Sequence, residues 1–283
     1  MNPIDEYRDI ADGVLMRERG LFVAEGRVVV RRVIEDSRYA VRSVLLNDAA
    51  HRDLGDVLKR LPDGTPVYVQ PRPAFQEITG VDFHRGCLAL VHRPADRSVE
   101  SVVGLGSPLV MLEDVTNADN VGGVFRNAAA FGAGAIVLSP TCCDPLYRKA
   151  IRTSVGTVLR VPFARADDWT AALACVRAHG FLVAALTPRE PAETLEAFAD
   201  RARGARVALV IGSESSGVSE TVRAVADARV RIPMVEGVDS LNLAVAAGIA
   251  LHAVRSRDER RSPRGGAGRP MSPDRRTGTS ARR

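Results

Sequence analysis

Three short segments hold the side chains best suited to chemistry: Asn117-Ala-Asp-Asn-Val-Gly-Gly-Val-Phe-Arg126, Ile211-Gly-Ser-Glu-Ser-Ser-Gly217, and Ile232-Pro-Met234 followed by Ser240-Leu-Asn242. Each sets small residues and a few polar groups at the end of an apolar strand or the start of a helix, where an α/β protein places a ligand. In the first, Asn120 reads as a helix N-cap, and Gly122 and Gly123 remove side chains where the helix start approaches a ligand. Arg126 follows under two turns later, so its long cation reaches back over the cleft that Asn120 lines. Taken alone, the segment is equally a capped helix with an Arg on its solvated face. In the second, Gly212 permits close backbone approach and Glu214 places a carboxylate in the same crevice, although a plain strand-to-helix turn uses similar residues. In the third, Ser240 is a natural N-cap, and Asn242 is an amide entering an apolar helix, where it needs a hydrogen-bonding partner.

The elements that must position these groups are legible from periodicity. From Pro108 onward, apolar runs at Leu109–Leu112, Ala135–Leu138, Phe181–Leu186, Val207–Ile211 and Val230–Ile232 alternate with helical patterns near Val121–Phe131, Trp169–His179 and Leu241–Val254. Runs without polar alternation predict strands covered on both faces, hence a mostly parallel sheet. The Leu241–Val254 helix is apolar nearly all round and is expected deep in the fold or at a subunit interface. Gly132-Ala-Gly134 is not a nucleotide fingerprint, because it ends a helix and precedes a strand.

Residues 1–93 read as a small α/β module. Glu25-Gly26 leads into a helix, short strands are predicted at Val41–Leu46 and Val67–Val69, and Cys87–Val91 closes the module as a buried strand. Residues 94–107 have linker composition, residues 108–255 form the main domain, and residues 256–283 form an Arg, Ser, Pro and Gly tail expected to be disordered.

The 283 residues carry a net charge of +5, but the charge is unevenly spread. From Ser256 to Arg283 nine Arg face three acids, giving +6, so the other 255 residues sum to −1. The tail can supply salt-sensitive attraction to a polyanion, whereas any contact by the body must come from a local patch. Arg148, Lys149 and Arg152 form one such cationic helix face, equally readable as solvated charge. Cys87, Cys142, Cys143 and Cys175 form no CxxC pair and no metal-site spacing with His, which suits reduced core thiols in a cytoplasmic protein with no bound metal. No apolar run approaches membrane-spanning length and the first residues lack a signal-peptide core.

In order and spacing, Asn-x-Gly-x-x-x-Arg at Asn120–Arg126, Gly-Ser-Glu-x-x-Gly at Gly212–Gly217, and Ile-Pro-Met with Ser-Leu-Asn resemble the three motifs of the SpoU family of RNA 2′-O-ribose methyltransferases, within the SPOUT superfamily. The resemblance covers roughly Pro108 to Val254. The first module is similar, more loosely, to the small RNA-binding domain that precedes this domain in many members, with Phe22-Val-Ala-Glu-Gly26 and His84-Arg-Gly86 as landmarks.

The resemblance implies an α/β-knot domain with a deep trefoil knot, a homodimer formed through it, and S-adenosylmethionine as cofactor. The cofactor would be held by loops around Leu186, Thr187, Gly212, Ile232, Met234 and Leu241, largely through backbone groups. It also implies a catalytic set of Arg126, Asn120, Glu214, Ser240 and Asn242, and an rRNA or tRNA substrate, for which the cationic face of Arg148, Lys149 and Arg152 is the candidate contact read from charge. A guanidinium hardly ever deprotonates in a protein, so electrostatic stabilisation by Arg126 is expected rather than literal base catalysis. Two other readings share the fold: a knotted methyltransferase acting on a base nitrogen, and an RNA-binding protein without catalysis.

Overall fold

The computed structural model describes residues 3–8, 12–36, 38–79, 86–188 and 191–259. His84 and Arg85, and the expected tail from residue 260 on, lie outside them. Among the described residues no helix is long and apolar enough to cross a membrane.

The N-terminal module comprises α1 (Asp12–Arg19), β1 (Leu21–Glu25), α2 (Arg27–Glu35), β2 (Val41–Leu46), α3 (Asp48–Leu58), β3 (Val67–Val69), α4 (Arg72–Thr79) and β4 (Cys87–His92). Its sheet runs β1-β4-β2-β3, antiparallel except for the β2–β3 pair. The turn into α2 is made by Gly26, whose φ of 92° is open to glycine and strained for other residues.

The larger layer follows with α5 (Val99–Val103), β5 (Leu109–Glu113), α6 (Ala118–Phe131), β6 (Ala135–Leu138), α7 (Arg148–Thr153), β7 (Phe163–Arg165), α8 (Trp169–Ala178), β8 (Phe181–Leu186), β9 (Glu193–Thr194), α9 (Leu195–Arg201), β10 (Arg206–Gly212), α10 (Glu220–Val225), β11 (Ala228–Arg231) and α11 (Leu243–Glu259). The seven strands are ordered β7-β6-β5-β10-β8-β11-β9, and the pairs in register between them are parallel.

The unbroken apolar runs resolve into two faces at a period of two. Val110, Leu112, Ile136, Leu138, Leu209 and Ile211 join a core with α6, α9 and α11. Their neighbours Leu109, Met111, Ala135, Val137, Ala208 and Val210 join another with α5, α8 and α10. Full burial of each such Val, Leu or Ile stabilises the fold by roughly 1.5–3 kcal/mol, which is why these strands carry no polar alternation.

Two expectations need correction. The segment 94–107 is not all linker: α5 lies within it, and its Val102 and Val103 are fully buried against the sheet. The last helix begins at Leu243 and runs to Glu259, past the expected boundary at residue 255. Of the two placements expected for that helix, burial deep in the fold holds for one face. Leu243, Ala247, Ala250, Leu251 and Val254 face the core, whereas Val245 and Ile249 are 50% and 39% exposed.

The two sheets share one continuous core, in which Phe22, Val29 and Val33 join Val121, Phe125 and Ile151. Polar contacts close the seam: Arg38 and Tyr39 each donate to the Leu159 carbonyl at 2.9 Å, and Arg93 pairs with Asp144 at 2.7 Å. Asp12 also sits here, accepting from the Arg148 backbone N–H at 3.0 Å while its second carboxyl oxygen is buried without a partner. Burial raises its pKa, with Asp144 and Glu25 adding to the rise and Arg148 opposing it. An acid raised in the folded state contributes stability at low pH that is lost as pH climbs through the raised value. Asp12→Asn keeps an acceptor for Arg148, so it is expected to raise Tm at pH 7 by about 2–4 °C, the shift about 1 kcal/mol produces at this chain length, and to give little gain near pH 4. Equal melting curves at pH 7 would show that the ionised Asp12 carries no cost.

Candidate functional site

At the carboxyl ends of β8, β10 and β11 lies a cleft of about 530 Å³. Leu186 and Thr187 enter it from β8 and its exit, Gly212 to Val218 from the loop after β10, Ile232 and Met234 from the segment after β11, and Ser240, Leu241, Asn242 and Leu243 from the approach to α11. The second and third motif segments thus meet in one crevice, although the α10–β11 unit separates them along the chain.

The loop after β10 is folded back on itself. Ser213 and Gly217 form an isolated bridge, with the Gly217 N–H donating to the Ser213 carbonyl at 2.9 Å. A Cβ at Gly212 would lie 2.1 Å from both the carbonyl carbon and oxygen of Gly217. Gly212 is therefore required by the approach of its own loop.

The first motif segment meets the others through hydrogen bonds. Asn242 Nδ2 donates to Asn120 Oδ1 at 2.9 Å and to Glu214 Oε1 at 3.2 Å, so one amide links all three segments. This is the partner that an amide at the head of an apolar helix demands. Asn120, only 5% exposed, lies inside the first turn of α6 behind Asn242, which forms part of the cleft wall.

Both expected caps move. Asn117 caps α6 by accepting from the Asp119 N–H at 2.8 Å. Asn242 caps α11, its Oδ1 accepting from Ala244 N–H at 3.1 Å and Val245 N–H at 3.3 Å. Ser240 lines the cleft before the helix begins. In each case an Asn closer to the first free N–H groups serves, leaving Asn120 and Ser240 to other contacts.

Asn242→Ala would remove the α11 cap, worth about 1 kcal/mol, and strip a donor from the buried Asn120 carbonyl, worth about 1–3 kcal/mol. A loss of about 2–4 kcal/mol in urea unfolding is expected. An unchanged midpoint would mean that the network does not form in solution.

Gly122 and Gly123 serve helix packing rather than ligand approach. A Cβ on Gly122 would lie 2.5 Å from the Ala150 carbonyl oxygen of α7, and one on Gly123 would lie 2.6 Å from the Ala244 Cβ of α11. The second contact opens a shallow groove between α6 and α11, lined by Gly123, Arg126, Asn127, Thr153, Val245 and Ile249 among others. Arg126 belongs to this groove and not to the first cleft. It is exposed and, among the described residues, makes no hydrogen bond or ion pair.

The three expected RNA-contacting cations have different surroundings. Arg148 turns to the seam, with Nε 3.8 Å from Glu25. Lys149 pairs with Asp119 at 2.8 Å. Arg152 is exposed and, among the described residues, has no hydrogen bond or ion pair.

Sequence reading missed Ser213, Ser215, Ser216, Pro188, Arg223 and Asp239 as cleft residues. It also missed Glu113, a buried carboxylate closing β5. An acid ending an otherwise apolar strand was the available signal for the latter.

A parallel α/β sheet with a cleft at its carboxyl edge, walled by Asn242, Glu214 and a folded-back Gly212–Gly217 loop, defines a ligand-binding class of α/β protein. A family model described as the SpoU rRNA Methylase family matches residues 107–252. An uncharacterised tRNA/rRNA methyltransferase of Mycobacterium bovis is 36% identical over 252 residues, 89% of this chain and 85% of the relative. The chain belongs to the SpoU rRNA methylase family.

Among solved structures, an AdoMet-bound rRNA methyltransferase from Sinorhizobium meliloti aligns with a TM-score of 0.72 at 24% identity, covering 90% of this chain and 95% of that one. The SpoU methyltransferase AviRb from Streptomyces viridochromogenes, in complex with AdoMet, gives 0.73 at 23% identity over 91% and 99% of the two chains. At these identities the likeness establishes the fold.

Proposed function

We propose that the chain transfers a methyl group from S-adenosylmethionine to a ribose 2′-hydroxyl in structured rRNA or tRNA. The observation that carries this reading is the Asn242 amide, which joins Asn120 and Glu214 at the wall of the strand-end cleft. The residues present fit the cofactor. Leu186, Ile211, Ile232, Leu241 and Leu243 offer apolar walls for an adenine, while Glu214 and Asp239 line the same space as carboxylates suited to a sulfonium and an ammonium. When bound, S-adenosylmethionine supplies an electrophilic methyl on sulfur.

The chain's own residues do the rest. Asn120 and Glu214 fix the Asn242 amide, which in turn orients the cleft loops that face the ribose. Ser240 stands beside the cofactor. Arg126, lacking a partner among the described residues, pairs with the phosphate next to the target nucleotide and stabilises the alkoxide that develops as the hydroxyl gives its proton to solvent water and loss of the methyl leaves the sulfur a neutral thioether. Arg152, on the α7 helix that Gly122 packs against, extends the cationic surface toward RNA.

The reading includes a trefoil knot through the strand-end loops, a cytoplasmic location and a homodimer. Val245 and Ile249, exposed on α11 beside Arg126, supply an apolar strip for the dimer. The experiment is incubation with tritiated cofactor and total rRNA or tRNA, followed by digestion to nucleosides. Label in 2′-O-methylnucleosides is expected. Label on a base would establish the base-methylating alternative, and RNA binding without cofactor binding would establish the non-catalytic one.

A further inference from the structure

Glu113 ends β5 in register with Gly212 of β10 and is 3% exposed. Its carboxylate holds three donors. Oε1 accepts from the Trp169 indole N–H at 2.7 Å and from the Ser219 hydroxyl at 2.6 Å, and Oε2 accepts from the Ser219 backbone N–H at 2.7 Å. Ser219 is the residue at which the Gly212–Val218 loop ends, and it caps α10 by accepting from the Val222 N–H at 3.2 Å. Trp169, the chain's single tryptophan, opens α8. One buried carboxylate thus ties the first strand of the site, the far end of the cleft loop and two helix starts together, from behind the cleft rather than within it.

We infer that Glu113 is a positioning residue of the cofactor cleft, clamping the Gly212–Ser219 loop through Ser219 and Trp169. The inference rests on reading that cleft as the cofactor site. Two of the three donors, the indole and the backbone N–H, cannot rotate away, and they sit on opposite oxygens. A glutamine therefore fails in either flip. With its NH2 at the Oε2 position it faces the Ser219 N–H, and with its NH2 at the Oε1 position it faces the Trp169 N–H. Removing the indole donor resolves the conflict: in a Trp169→Phe background, the glutamine NH2 donates to the Ser219 hydroxyl while its oxygen accepts the Ser219 N–H.

The clamp therefore predicts a rescue that general packing does not. Glu113→Gln is expected to weaken S-adenosylmethionine binding about tenfold, the effect of one frustrated charge-assisted hydrogen bond, and to speed hydrogen exchange of the Gly212–Ser219 amides in the cofactor-free protein. Glu113→Gln combined with Trp169→Phe should return both measurements to near those of Trp169→Phe alone. Calorimetry reads the first and exchange mass spectrometry the second. A Glu113→Gln protein with wild-type affinity and exchange would overturn the clamp, as would a double variant no better than the single one. If the wild-type protein binds no S-adenosylmethionine, the cofactor reading fails, and the exchange rates of the same variants still decide the clamp.

Discussion

Arg126→Lys is expected to lower turnover by about 10²–10³-fold, the range for losing one preorganised group aimed at developing negative charge, while leaving S-adenosylmethionine affinity unchanged. The separation follows from position. Arg126 lines the groove between α6 and α11, and the strand-end cleft has its own lining. Lysine keeps the charge and loses the planar fork that can bridge a phosphate and an alkoxide at once. Single-turnover rates with saturating cofactor measure the first effect and calorimetry the second. Near-normal turnover in Arg126→Lys would show that a point charge suffices. A large loss of cofactor affinity would place Arg126 in the cleft and contradict the groove geometry.

The second large effect belongs to Gly212. A methyl group there would stand 2.1 Å from the Gly217 carbonyl carbon and oxygen and 2.4 Å from the Val218 nitrogen. These are backbone atoms held by the Ser213–Gly217 bridge, so they cannot yield as a flexible side chain would. The loop has to open and lose its cleft-facing shape. Gly212→Ala is expected to weaken cofactor binding about hundredfold and to lower stability by about 2–3 kcal/mol, as overpacking does. Gly55 supplies a control of opposite sign. It lies within α3 with nothing within 4 Å of a built Cβ, so Gly55→Ala should stabilise by about 0.5–1 kcal/mol. Urea unfolding of both variants beside binding isotherms tests the pair. Full cofactor affinity in Gly212→Ala would mean that the loop is free to rearrange.

The packing of Gly122 and Gly123 shows why a motif can be read correctly and its glycines assigned to the wrong cause. Periodicity located β5, β6, β8, β10 and β11, because fully covered strands have no polar alternation to confuse them, and passed over the short edge strands β7 and β9. It also located α6 and α11, because their apolar residues recur at helical spacing. It could not say what approaches a glycine, since the Ala150 carbonyl and the Ala244 methyl lie 28 and 121 positions away from their partners in the chain. The same distance in sequence hid the module seam. Phe22 and Val33 look like the core of a self-contained unit until they are found packed with Phe125 and Ile151. The cap assignments failed for a local reason: Asn117 and Asn242 compete with Asn120 and Ser240 for the same free N–H groups, and backbone geometry decides among neighbours.

By itself, the sequence determined the parallel α/β class, the three polar segments and their order, and the need of Asn242 for a partner, because these depend on residue type and short-range period. Tertiary structure alone decided which residue that partner is. It placed Asn120 and Glu214 within reach of one amide, put Arg126 across α11 from the cleft, and set Glu113 behind the loop it holds. Those relations depend on how strands β5, β8, β10 and β11 are ordered in the sheet. Strand order comes from long-range packing and chain crossovers, for which one sequence carries no local sign.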